Sequence, residues 1–598
     1  MNNNEANIVL TVMCDGEVIE TIKTTAGKRL REILFDRKIY ASWPCGGRGT
    51  CGKCKIKINL GRLALESPDG TNTKYVMANE EALACQSFLV ENCVLDIGQL
   101  RENKFSGVLD FEISATDPID TGYEIIRFVM EPQCRKDGKS LTASVNKQLR
   151  KDLIFRQKAL QQLSVWFADS LKWNFPSQGA DLSAFLTIQG GEVVQIRTDE
   201  SEPIYGIGID IGTTTVAFVL VDLKTGCVIN AVSVLNSQRQ FGSDVITRIQ
   251  KASEGKLRAL RESIRDDISR EIINLCDSEV ARVIRVVISG NTTMIHLLLG
   301  LRADSIAQSP FNAITNEAMN ISAAGLFGSV LDCEVVLLPS ASSYIGADIV
   351  SGMMYCRMQK DEGVTMLLDV GTNGEIVIRD KERILCTSTA AGPAFEGANI
   401  SWGIGSVPGA ISKIEMTEGT YQYRTIGNKP AIGICGSAVV DIVATSLRAG
   451  IIDRTGRFKS EAQAKSGLHI ALNPSREWIN FSQKDIREFQ LAKSAVRSGI
   501  EIMIREFGCR WEEIERVYLA GGFGSRIDVD SAIEVGLFPV EMREKIHPVG
   551  NSSLGGTVHY LLYEKSRRSV DEIVRLATVI DLSKHPDFND LFIQQLNF

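Results

Sequence analysis

Short strands dominate the first hundred residues of the chain. Alternating apolar and polar positions predict strands at 8–13, 18–23, 55–59 and 93–97, and a wider spacing of apolar residues predicts a helix at 28–37. The pair Asp15-Gly16 separates the first two runs, as in a hairpin turn. We therefore expect a first domain over residues 1–100, built mainly from strands.

The next hundred residues carry a weaker pattern. Residues 101–121 are polar and lack clear periodicity, which predicts a linker. The stretch 122–202 contains two apolar runs expected to be strands, 124–130 and 184–188, and a helical spacing of apolar residues over 149–173. No group of residues there suggests chemistry. We expect a small α+β middle domain that acts as a spacer.

The pattern changes at Pro203. Residues 204–222 are almost continuously apolar, apart from one short polar turn. From there onward, strand-like and helical patterns alternate, which is typical of α/β proteins. We expect one large domain over 203–598. The chain as a whole is therefore predicted to be a multidomain protein of α/β and α+β units.

Length and composition limit the possible classes of protein. A chain of 598 residues is too long for one hydrophobic core, so several domains are expected. Its net charge is −7, and acidic and basic residues are mixed along the chain, which argues against a nucleic-acid partner. It has no apolar run long enough to span a membrane, and its first residues lack the basic and apolar character of a signal peptide. We therefore expect a cytoplasmic protein.

Four of the fourteen cysteines form a pattern of their own. Cys45, Cys51 and Cys54 lie on a glycine-rich loop, and Cys85 follows at a distance. Glycine lets the backbone wrap closely and direct N–H groups inward, where they can bond to the sulfides of an iron–sulfur cluster. Four thiolates are what a [2Fe–2S] cluster requires. The spacing therefore predicts a [2Fe–2S] centre held by these four residues.

Two other interpretations of these thiols remain open: a structural zinc site, and a set of unrelated buried cysteines. Zinc sites usually present two short Cys pairs, and this loop has one. The other cysteines are scattered, so Cys93 and Cys134 are not expected to be ligands, and one metal centre is predicted. The predicted order of strands and helix suits the β-grasp fold. The long first gap between cysteines resembles that of vertebrate and bacterial-hydroxylase ferredoxins.

The large domain contains the same motif twice. Each copy is an apolar strand that ends in Asp, followed by a Gly-Thr turn and a second apolar strand. The two copies are Asp210-Ile211-Gly212-Thr213-Thr214 and Asp369-Val370-Gly371-Thr372-Asn373. The two aspartates are separated by the same number of residues as the two glycines, so we expect two similar half-domains.

The chemistry of such a turn is phosphate binding. Glycine lets the backbone approach an anion, and N–H groups and Thr hydroxyls donate to phosphate oxygens. The predicted phosphate-binding residues are Gly212, Thr213, Thr214, Gly371, Thr372 and Asn373. Asp210 and Asp369 are expected to be the catalytic carboxylates that serve a hydrated Mg²⁺ and the attacking water, with the order of these roles open. One motif alone would be weak evidence, since Asp-Gly turns often join hairpins.

Two further glycine-containing segments complete the predicted ATP site. Gly521, Gly522 and Gly524 end a predicted strand, where the backbone can pack flat against an adenosine. Gly436 and Ser437 open a predicted helix, which suits an anion site and suits an ordinary helix cap equally. Both interpretations of the second segment stay open.

Together these segments resemble the superfamily of acetate and sugar kinases, heat-shock chaperones and actin. The matching motifs are its two phosphate loops and its adenosine loop, and the resemblance covers residues 203–598. It implies two ribonuclease-H-like lobes, with ATP and Mg²⁺ in the cleft between them and lobe closure driven by the nucleotide.

The complete layout resembles the reductive activators of corrinoid proteins. The motifs that carry this resemblance are the four spaced cysteines, the two Asp loops and the small-residue segment 391–398. The resemblance implies that inactive Co(II) corrinoid is reduced to Co(I) by one electron from the [2Fe–2S] cluster, with ATP hydrolysis. The implied partners are a corrinoid protein, either of a methyltransferase system or a corrinoid/iron–sulfur protein, and an upstream electron donor. A homodimer is a further possibility.

Two alternative functions stay open. An activator of a radical dehydratase or of an aryl-CoA reductase would resemble the ATPase domain without a separate ferredoxin domain. A small-molecule kinase or a chaperone-like ATPase with a sensory cluster would use the same nucleotide site without a corrinoid.

The segment 387–398 is expected to be a surface loop behind the second phosphate loop. An oxygen atom of Ser388, Thr389 or Glu396 would there contact the corrinoid partner. The opposite interpretation is equally open, because loops of small residues often serve only to pack neighbouring lobes.

Overall fold

The structure is a computed structural model, and it describes residues 7–14, 17–36, 55–65, 74–97, 111, 118–130, 140–172, 183–397, 399–417, 419–524 and 526–598. Cys45, Cys51, Cys54 and Cys134 lie outside these ranges, as does most of the predicted linker. Within the described ranges, no helix is long and apolar enough to cross a membrane.

A mixed five-stranded sheet forms the centre of the first domain. Its strands are Asn7–Cys14, Glu17–Thr25, Lys55–Leu60, Glu81–Leu83 and Cys93–Asp96. The first two strands form an antiparallel hairpin, and the last strand runs parallel to the first. Helix Leu30–Asp36 packs its apolar side chains against this sheet, and a smaller sheet is formed by Arg62–Leu65, Lys74–Met77 and Ser87–Leu89. This is the β-grasp arrangement that the sequence predicts.

Four strands and two helices form the middle domain. The strands are Glu124–Val129, Ile154–Phe155, Ser183–Gln189 and Glu192–Arg197, and the helices are Leu141–Leu149 and Gln157–Lys172. The helix predicted over 149–173 is confirmed over Gln157–Lys172, but its predicted start is too early. Arg150 has a left-handed backbone conformation with φ of 53° and ends the first helix, and the following residues pair with the last strand. The apolar spacing continues across this break, so periodicity alone cannot detect it.

Two six-stranded sheets form the large domain, one in each lobe. The strands of lobe I are Tyr205–Ile211, Thr215–Asp222, Val228–Leu235, Val283–Gly290, Met319–Ser322 and Glu334–Leu337. The strands of lobe II are Val364–Val370, Gly374–Arg379, Ile384–Thr389, Ile514–Ala520, Ile546–Gly550 and Ala577–Val579. In both sheets the third, second, first and fourth strands are neighbours in that order, and the fourth is parallel to the first. This shared order confirms the two ribonuclease-H-like lobes that the repeated motif predicts.

Helices surround both sheets. Those that follow lobe I strands are Val245–Lys251, Leu257–Cys276, Thr292–Leu299, Ala323–Phe327 and Ala347–Tyr355. Those that follow lobe II strands are Gly436–Arg448, Glu461–Ser466, Gln483–Phe507, Gly521–Gly524, Val529–Glu534, Ser552–Leu562, Lys565–Leu576 and Phe588–Gln594. Lobe II also carries a small sheet of Ala410–Thr417, Thr420–Thr425 and Gly433–Ile434, and a hairpin of Leu468–Leu472 and Trp478–Phe481. Each lobe has its own buried apolar core.

Two helices exchange sides between the lobes, and we call them the crossing helices. Helix Ala347–Tyr355 follows lobe I strands but packs on the lobe II sheet, and helix Ser552–Leu562 follows lobe II strands but packs on the lobe I sheet. Their backbones approach closely, because a Cβ atom at Gly556 would lie 2.2 Å from the carbonyl oxygen of Ser351. Ser351 Oγ also donates to the carbonyl of Ser553 at 2.8 Å. The two lobes are therefore joined by a tight helix pair.

The middle domain is attached to lobe I and to one crossing helix. Lys158 Nζ donates to the carbonyl of Val283 at 2.9 Å. Asp120 forms backbone hydrogen bonds with Leu562 and Glu564, at the end of the second crossing helix. The end of the predicted linker therefore contacts a helix whose other end approaches the cleft. The domain boundaries at residues 100, 121 and 202 stay predictions.

Candidate functional site

A cavity of about 230 Å³ lies between the two lobes. Its lining includes these residues of the predicted nucleotide site: Asp210, Gly212, Thr213, Thr214, Asp369, Gly371, Thr372, Asn373, Gly436, Ser437, Gly521 and Gly522. Gly524 packs elsewhere, because a Cβ atom there would lie 2.9 Å from Leu519 Cγ of the preceding strand. The fold thus brings together four segments that are far apart in the sequence.

The two phosphate loops, residues 212–215 and 371–374, both line this cavity. Each follows the first strand of its lobe and is closed by one backbone hydrogen bond. The Gly212 N–H donates to the Thr215 carbonyl at 2.9 Å, and the Gly371 N–H donates to the Asn373 carbonyl at 2.8 Å. The repeated motif therefore produces a closed turn after the first strand of each lobe, although the turn of lobe II is one residue shorter.

Two side chains from the second crossing helix orient Asp210. Ser553 Oγ donates to Oδ1 of Asp210 at 2.7 Å, and Asn551 Nδ2 donates to Oδ2 at 3.1 Å. Burial raises the pKa of Asp210, and these two hydrogen bonds oppose the rise. Asn551 also caps the helix by accepting from the Leu554 N–H at 2.8 Å, so the helix start itself positions the amide. The Asp210 carboxylate therefore has a fixed orientation.

Three further carboxyl groups in the same cavity have raised pKa values. Burial raises the pKa of Asp369 to about 7, and the charges of Asp210 and Glu396 add to the rise. Burial also raises the pKa of Asp348 to about 7, with the charges of Asp210 and Asp369 adding to it. The pKa of Glu375 is raised well above its usual range by burial and by the charges of Asp348 and Asp369. A cavity with this many carboxyl groups is suited to a cation.

Glu396 connects the two phosphate loops. Its Oε1 accepts from the N–H and from the Oγ1 hydroxyl of Thr372, at 2.8 Å in each case. Its Oε2 accepts from Thr214 Oγ1 at 2.6 Å. Because Thr214 belongs to lobe I and Thr372 to lobe II, this carboxylate bridges the lobes.

The segment 387–398 lies beside the second phosphate loop, as expected, because Glu396 accepts from Thr372. The expectation that it forms a surface loop is wrong for the residues that the structure describes. Thr389 is buried at the end of the strand Ile384–Thr389, and the Ser388 hydroxyl is hydrogen-bonded to the neighbouring strand. Glu396 lines the cavity between the lobes. The strand has a partner on each side in the lobe II sheet, which prevents its residues from forming a surface loop. This geometry gives no support to a corrinoid contact through these three residues.

A buried guanidinium supports the first phosphate loop. Arg248 is fully buried and donates to the carbonyl of Thr213 and, at 2.9 Å, to the carbonyl of Gly242. Burial lowers the pKa of Arg248 to about 9, which leaves it charged at neutral pH. The side chain therefore fixes the backbone of the loop and adds positive potential next to it.

The turn that carries Glu396 also contacts the adenosine loop, residues 521–524. The rings of Phe395 and Phe523 lie with their centroids 4.7 Å apart. Phe395 also packs edge-on against Phe489, with the centroids 5.9 Å apart. Movement of this turn would therefore disturb the predicted adenosine site.

Gly436 and Ser437 open their helix against the same turn. A Cβ atom at Gly436 would lie 1.7 Å from the carbonyl oxygen of Phe395, so only glycine fits there. Ser437 Oγ donates to the carbonyl of Ser412 at 2.8 Å. That hydroxyl makes no capping bond to its own helix, whose N-cap residue is Cys435. The helix start therefore lines the cavity with backbone rather than with a capping side chain.

The residues of the cavity fit a hydrated Mg²⁺ beside nucleotide phosphates. Over the part of the chain that the structure describes, no three His, Cys, Asp or Glu side chains are close enough to hold a metal ion directly. Mg²⁺ usually keeps several waters and uses only one or two carboxylates together with phosphate oxygens. The carboxyl groups of the cleft suit such waters, and the Gly and Thr donors of the two loops suit the phosphates.

Cys85 is the predicted cluster ligand that the structure describes. It is buried in the one-turn helix Ala84–Gln86, and the Gln86 amide approaches its sulfur at 3.7 Å. Cys93, which is not expected to be a ligand, donates its thiol to the carbonyl of Arg62 at 3.2 Å. Burial raises the pKa of Cys93 to about 11, so this thiol stays protonated at neutral pH and is a poor metal ligand.

Sequence analysis did not find several residues of the site. These are Arg248, Asp348, Glu375, Asn551 and Ser553. A signal for two of them exists, because the Gly, Asn and Ser residues at 550–553 mark a turn between a strand and a helix. The remaining three look like ordinary helix or strand residues, and only the packing of distant segments reveals them.

Three family models match the chain. Residues 14–90 match the 2Fe-2S iron-sulfur cluster binding domain. Residues 205–361 match the RACo middle region, and residues 363–598 match the C-terminal domain of RACo, the ASKHA domain. The middle region of that family thus corresponds to lobe I, and its C-terminal domain corresponds to lobe II. The matches support a [2Fe–2S] cluster and ATP binding.

Two curated relatives and one solved structure are similar to most of the chain. The corrinoid activation enzyme RamQ of Eubacterium limosum is 29% identical over 587 residues, which cover 93% of this chain and 93% of that protein. The Co(II) methylated amine-specific corrinoid protein reductase of Methanosarcina barkeri is 26% identical over 433 residues, 66% of this chain and 77% of that protein. A solved structure, the reductive activator for corrinoid, iron-sulfur protein, is 28% identical and superposes with a TM-score of 0.72 over 99% of this chain and 98% of its own. Together with the two RACo models, these likenesses show that the chain belongs to the family of reductive activators of corrinoid proteins.

Proposed function

We propose that this chain reactivates a corrinoid protein of methyl transfer by reducing its inactive Co(II) to Co(I), while ATP and water become ADP and phosphate. One observation carries the proposal. A single chain joins a domain that matches [2Fe–2S] proteins to a cleft lined by two Asp-Gly-Thr loops. Relatives named for corrinoid activation and for corrinoid protein reduction resemble the chain over most of its length.

An energetically uphill electron transfer explains why one chain would combine these parts. A ferredoxin alone passes electrons only toward higher potential. For one electron, about 59 mV changes the equilibrium tenfold, or about 1.4 kcal/mol. ATP hydrolysis linked to a conformational cycle can supply free energy of that order, provided that the nucleotide binds the two conformations with different affinity.

In this proposal the loop residues of the cleft bind either the phosphates or the adenosine of ATP. Phosphate oxygens are bound by Gly212, Thr213, Thr214, Gly371, Thr372 and Asn373. The adenosine packs against the backbone of Gly521 and Gly522, with the helix start at Gly436 and Ser437 beside it. Gly524 is better described as a packing residue of the same turn, because it lies against its own strand.

Asp210 and Asp369 receive different roles. Asp210 is held by two hydrogen bonds, which oppose the rise of its pKa on burial and fix the orientation of its carboxyl group in the cavity. Asp369 has a pKa of about 7, so it can accept the proton of the attacking water at neutral pH. We therefore propose Asp210 as the Mg²⁺ carboxylate and Asp369 as the general base.

Cys45, Cys51, Cys54 and Cys85 are proposed as the cluster ligands. When bound, the [2Fe–2S] cluster would supply electrons one at a time. The buried position of Cys85 shields its sulfur from water, and Cys93 stays a protonated thiol in the core. Iron and sulfide content can test this with a matched pair of variants. Cys85→Ala should lose the cluster, Cys93→Ala should keep it, and zinc in place of iron would contradict the assignment.

The proposed partners are a corrinoid protein and an upstream electron donor. Of the cysteines that the structure describes, several are free thiols, including the exposed Cys227. Free surface thiols persist in reducing compartments, so we propose that the protein acts in the cytoplasm.

Reduction of a corrinoid protein can be followed directly by visible absorption. The full-length chain with its cluster is mixed with a methyltransferase corrinoid protein in the Co(II) state, a reductant and Mg²⁺-ATP. Co(I) should form only with ATP, and Asp369→Asn should stop it while leaving the cluster spectrum intact. Equal rates with and without ATP would contradict the proposal. Transfer of phosphate to a metabolite, without any effect on cobalt, would favour the kinase alternative.

A further inference from the structure

Three hydrogen-bond donors of the proposed phosphate site are used by a carboxylate of the protein itself. Glu396 accepts from the N–H and the hydroxyl of Thr372, at 2.8 Å each, and from the hydroxyl of Thr214 at 2.6 Å. Both threonines belong to the phosphate loops. The carboxylate thus occupies the position in which a phosphate group would reach both lobes.

A carboxylate and a phosphate group cannot share these donors. Both are anionic acceptors, and each short N–H or O–H bond of this kind serves one strongly charged oxygen at a time. Two anions within a few ångströms also repel each other, most strongly where water is scarce. Phosphate binding and the Glu396 bridge therefore exclude one another.

We propose that Glu396 is an internal competitor for the phosphate cradle, and that nucleotide phosphates displace it and thereby break the bridge between the lobes. The inference rests on the proposed ATP site but not on the corrinoid. It makes Glu396 a specificity-determining residue, because a ligand without phosphate has no means of displacing the carboxylate. It also links phosphate binding to lobe movement, because phosphate binding breaks the contact that Glu396 makes between the two lobes.

Two glycines bound the turn that carries Glu396. Gly392 and Gly397 flank it, with φ of 78° and 79°, conformations that other residues rarely adopt. Phe395 in the same turn packs on Phe523 of the adenosine loop. Displacement of the Glu396 carboxylate would therefore change the contact between Phe395 and the adenosine loop.

Nucleotide affinity measured by calorimetry on the full-length protein tests the proposal. Glu396→Ala should bind ATP about tenfold tighter than the wild type, because the three donors are released and a like charge is removed. Glu396→Gln keeps the shape without the charge and should show a smaller gain. Adenosine, which has no phosphate, should bind equally to all three proteins. Glu461→Gln, an exposed acid on the helix Glu461–Ser466, serves as the matched control and should change nothing.

Hydrogen exchange gives a second readout. The Thr372 amide donates to Glu396, so Glu396→Ala should speed its exchange when nucleotide is withheld, and ATP should slow it again. Tighter ATP binding together with faster Thr372 exchange supports the competitor.

Unchanged or weaker ATP binding in both Glu396 variants would overturn the proposal, and so would a parallel change in adenosine affinity. A wild type that binds no ATP would contradict the proposed function. If the wild type binds no ATP but Glu396→Ala does, the proposal that Glu396 competes with phosphate is supported. If neither protein binds ATP, both the competitor proposal and the proposed function are overturned.

Discussion

The two phosphate loops arise from one repeated motif, yet their aspartates lie in different surroundings. Asp210 accepts hydrogen bonds from Ser553 and from a neighbouring Asn. Among the described residues, no hydrogen-bond donor reaches the carboxylate of Asp369, and the charges of Asp210 and Glu396 raise its pKa to about 7 together with burial. The strand order is the same in both lobes, and the turns differ by only one residue in length. What packs against each loop is the larger difference.

The crossing helices supply the hydrogen-bond donor to Asp210 and a further acid in the cleft. Ser553 is the second residue of one crossing helix, and Asp348 is the second residue of the other. The same structural position therefore supplies a hydrogen-bond donor on one side of the cleft and an additional acid on the other. Symmetric folding with asymmetric side chains therefore gives Asp210 two hydrogen bonds that lower its pKa, while the pKa of Asp369 is raised to about 7. Such a difference between two carboxyl groups suits an acid–base division of roles.

The largest expected effect comes from neutralising either aspartate. Asp369→Asn should reduce ATP hydrolysis about 10²–10⁴-fold with little change in ATP affinity, because only proton acceptance is lost. Asp210→Asn should also reduce hydrolysis, and in addition it should remove the gain in ATP affinity that Mg²⁺ provides. Single-turnover hydrolysis and ATP binding, each measured with Mg²⁺ and with a chelator, distinguish the two. If both variants lose the effect of Mg²⁺ on binding equally, the two loops are not differentiated as we propose.

Local features of the site follow well from the sequence, because each depends on a few neighbouring residues. A strand followed by Asp-x-Gly-Thr specifies both its own turn and its chemistry, and its repetition indicates two lobes with the same strand order. The predicted residues of the nucleotide site accordingly come together in one cavity, with Gly524 as the exception.

Features that depend on packing between distant segments do not follow from the sequence. Asp348 and Ser553 reach the cleft only because their helices cross between the lobes. Glu396 was expected at the surface, since a run of small residues gives no sign that the preceding strand lies inside a sheet. The start of the helix predicted over 149–173 is misplaced for a related reason. A left-handed residue and a strand pairing precede Gln157, and the apolar spacing continues through them.

A smaller effect is expected when Asp210 loses one of its hydrogen bonds. Ser553→Ala should reduce ATP hydrolysis about tenfold, since a hydrogen bond to a charged group contributes about 1.5–3 kcal/mol and part of it is recovered by water. The effect on hydrolysis should vanish in the Asp210→Asn background, because the hydroxyl acts on the chemistry through that carboxylate, while its contact with Ser289 is structural. A double-mutant cycle measures this coupling. Independent, additive losses would show that Ser553 acts elsewhere, for example by supporting the helix crossing.

The smallest expected effect is a pH-dependent gain in stability on removing Asp348. The pKa of this carboxyl is raised to about 7 by burial and by the charges of Asp210 and Asp369, so the folded protein binds a proton that the unfolded chain releases at much lower pH. The contribution of Asp348 to the free energy of unfolding therefore falls as the pH rises from the usual pKa of an Asp toward 7. Asp348→Asn keeps the acceptor oxygen that the Ile349 N–H uses, at 3.0 Å, but cannot ionise.

The melting temperature of Asp348→Asn relative to wild type should therefore be almost unchanged at about pH 4, near the unfolded pKa, and higher by about 2–6 °C at pH 8. Asp453→Asn is a control of opposite sign, because hydrogen bonds from Thr455 lower the pKa of Asp453. That variant should lose stability at neutral pH, and the loss should shrink as the pH falls through the depressed pKa of the folded state. The comparison between the loops predicts one more result. In an Asp210→Asn background the gain in melting temperature from Asp348→Asn at pH 8 should be smaller, because the charge of Asp210 no longer disfavours ionisation of Asp348. A gain of the same size would show that Asp210 does not raise the pKa of Asp348.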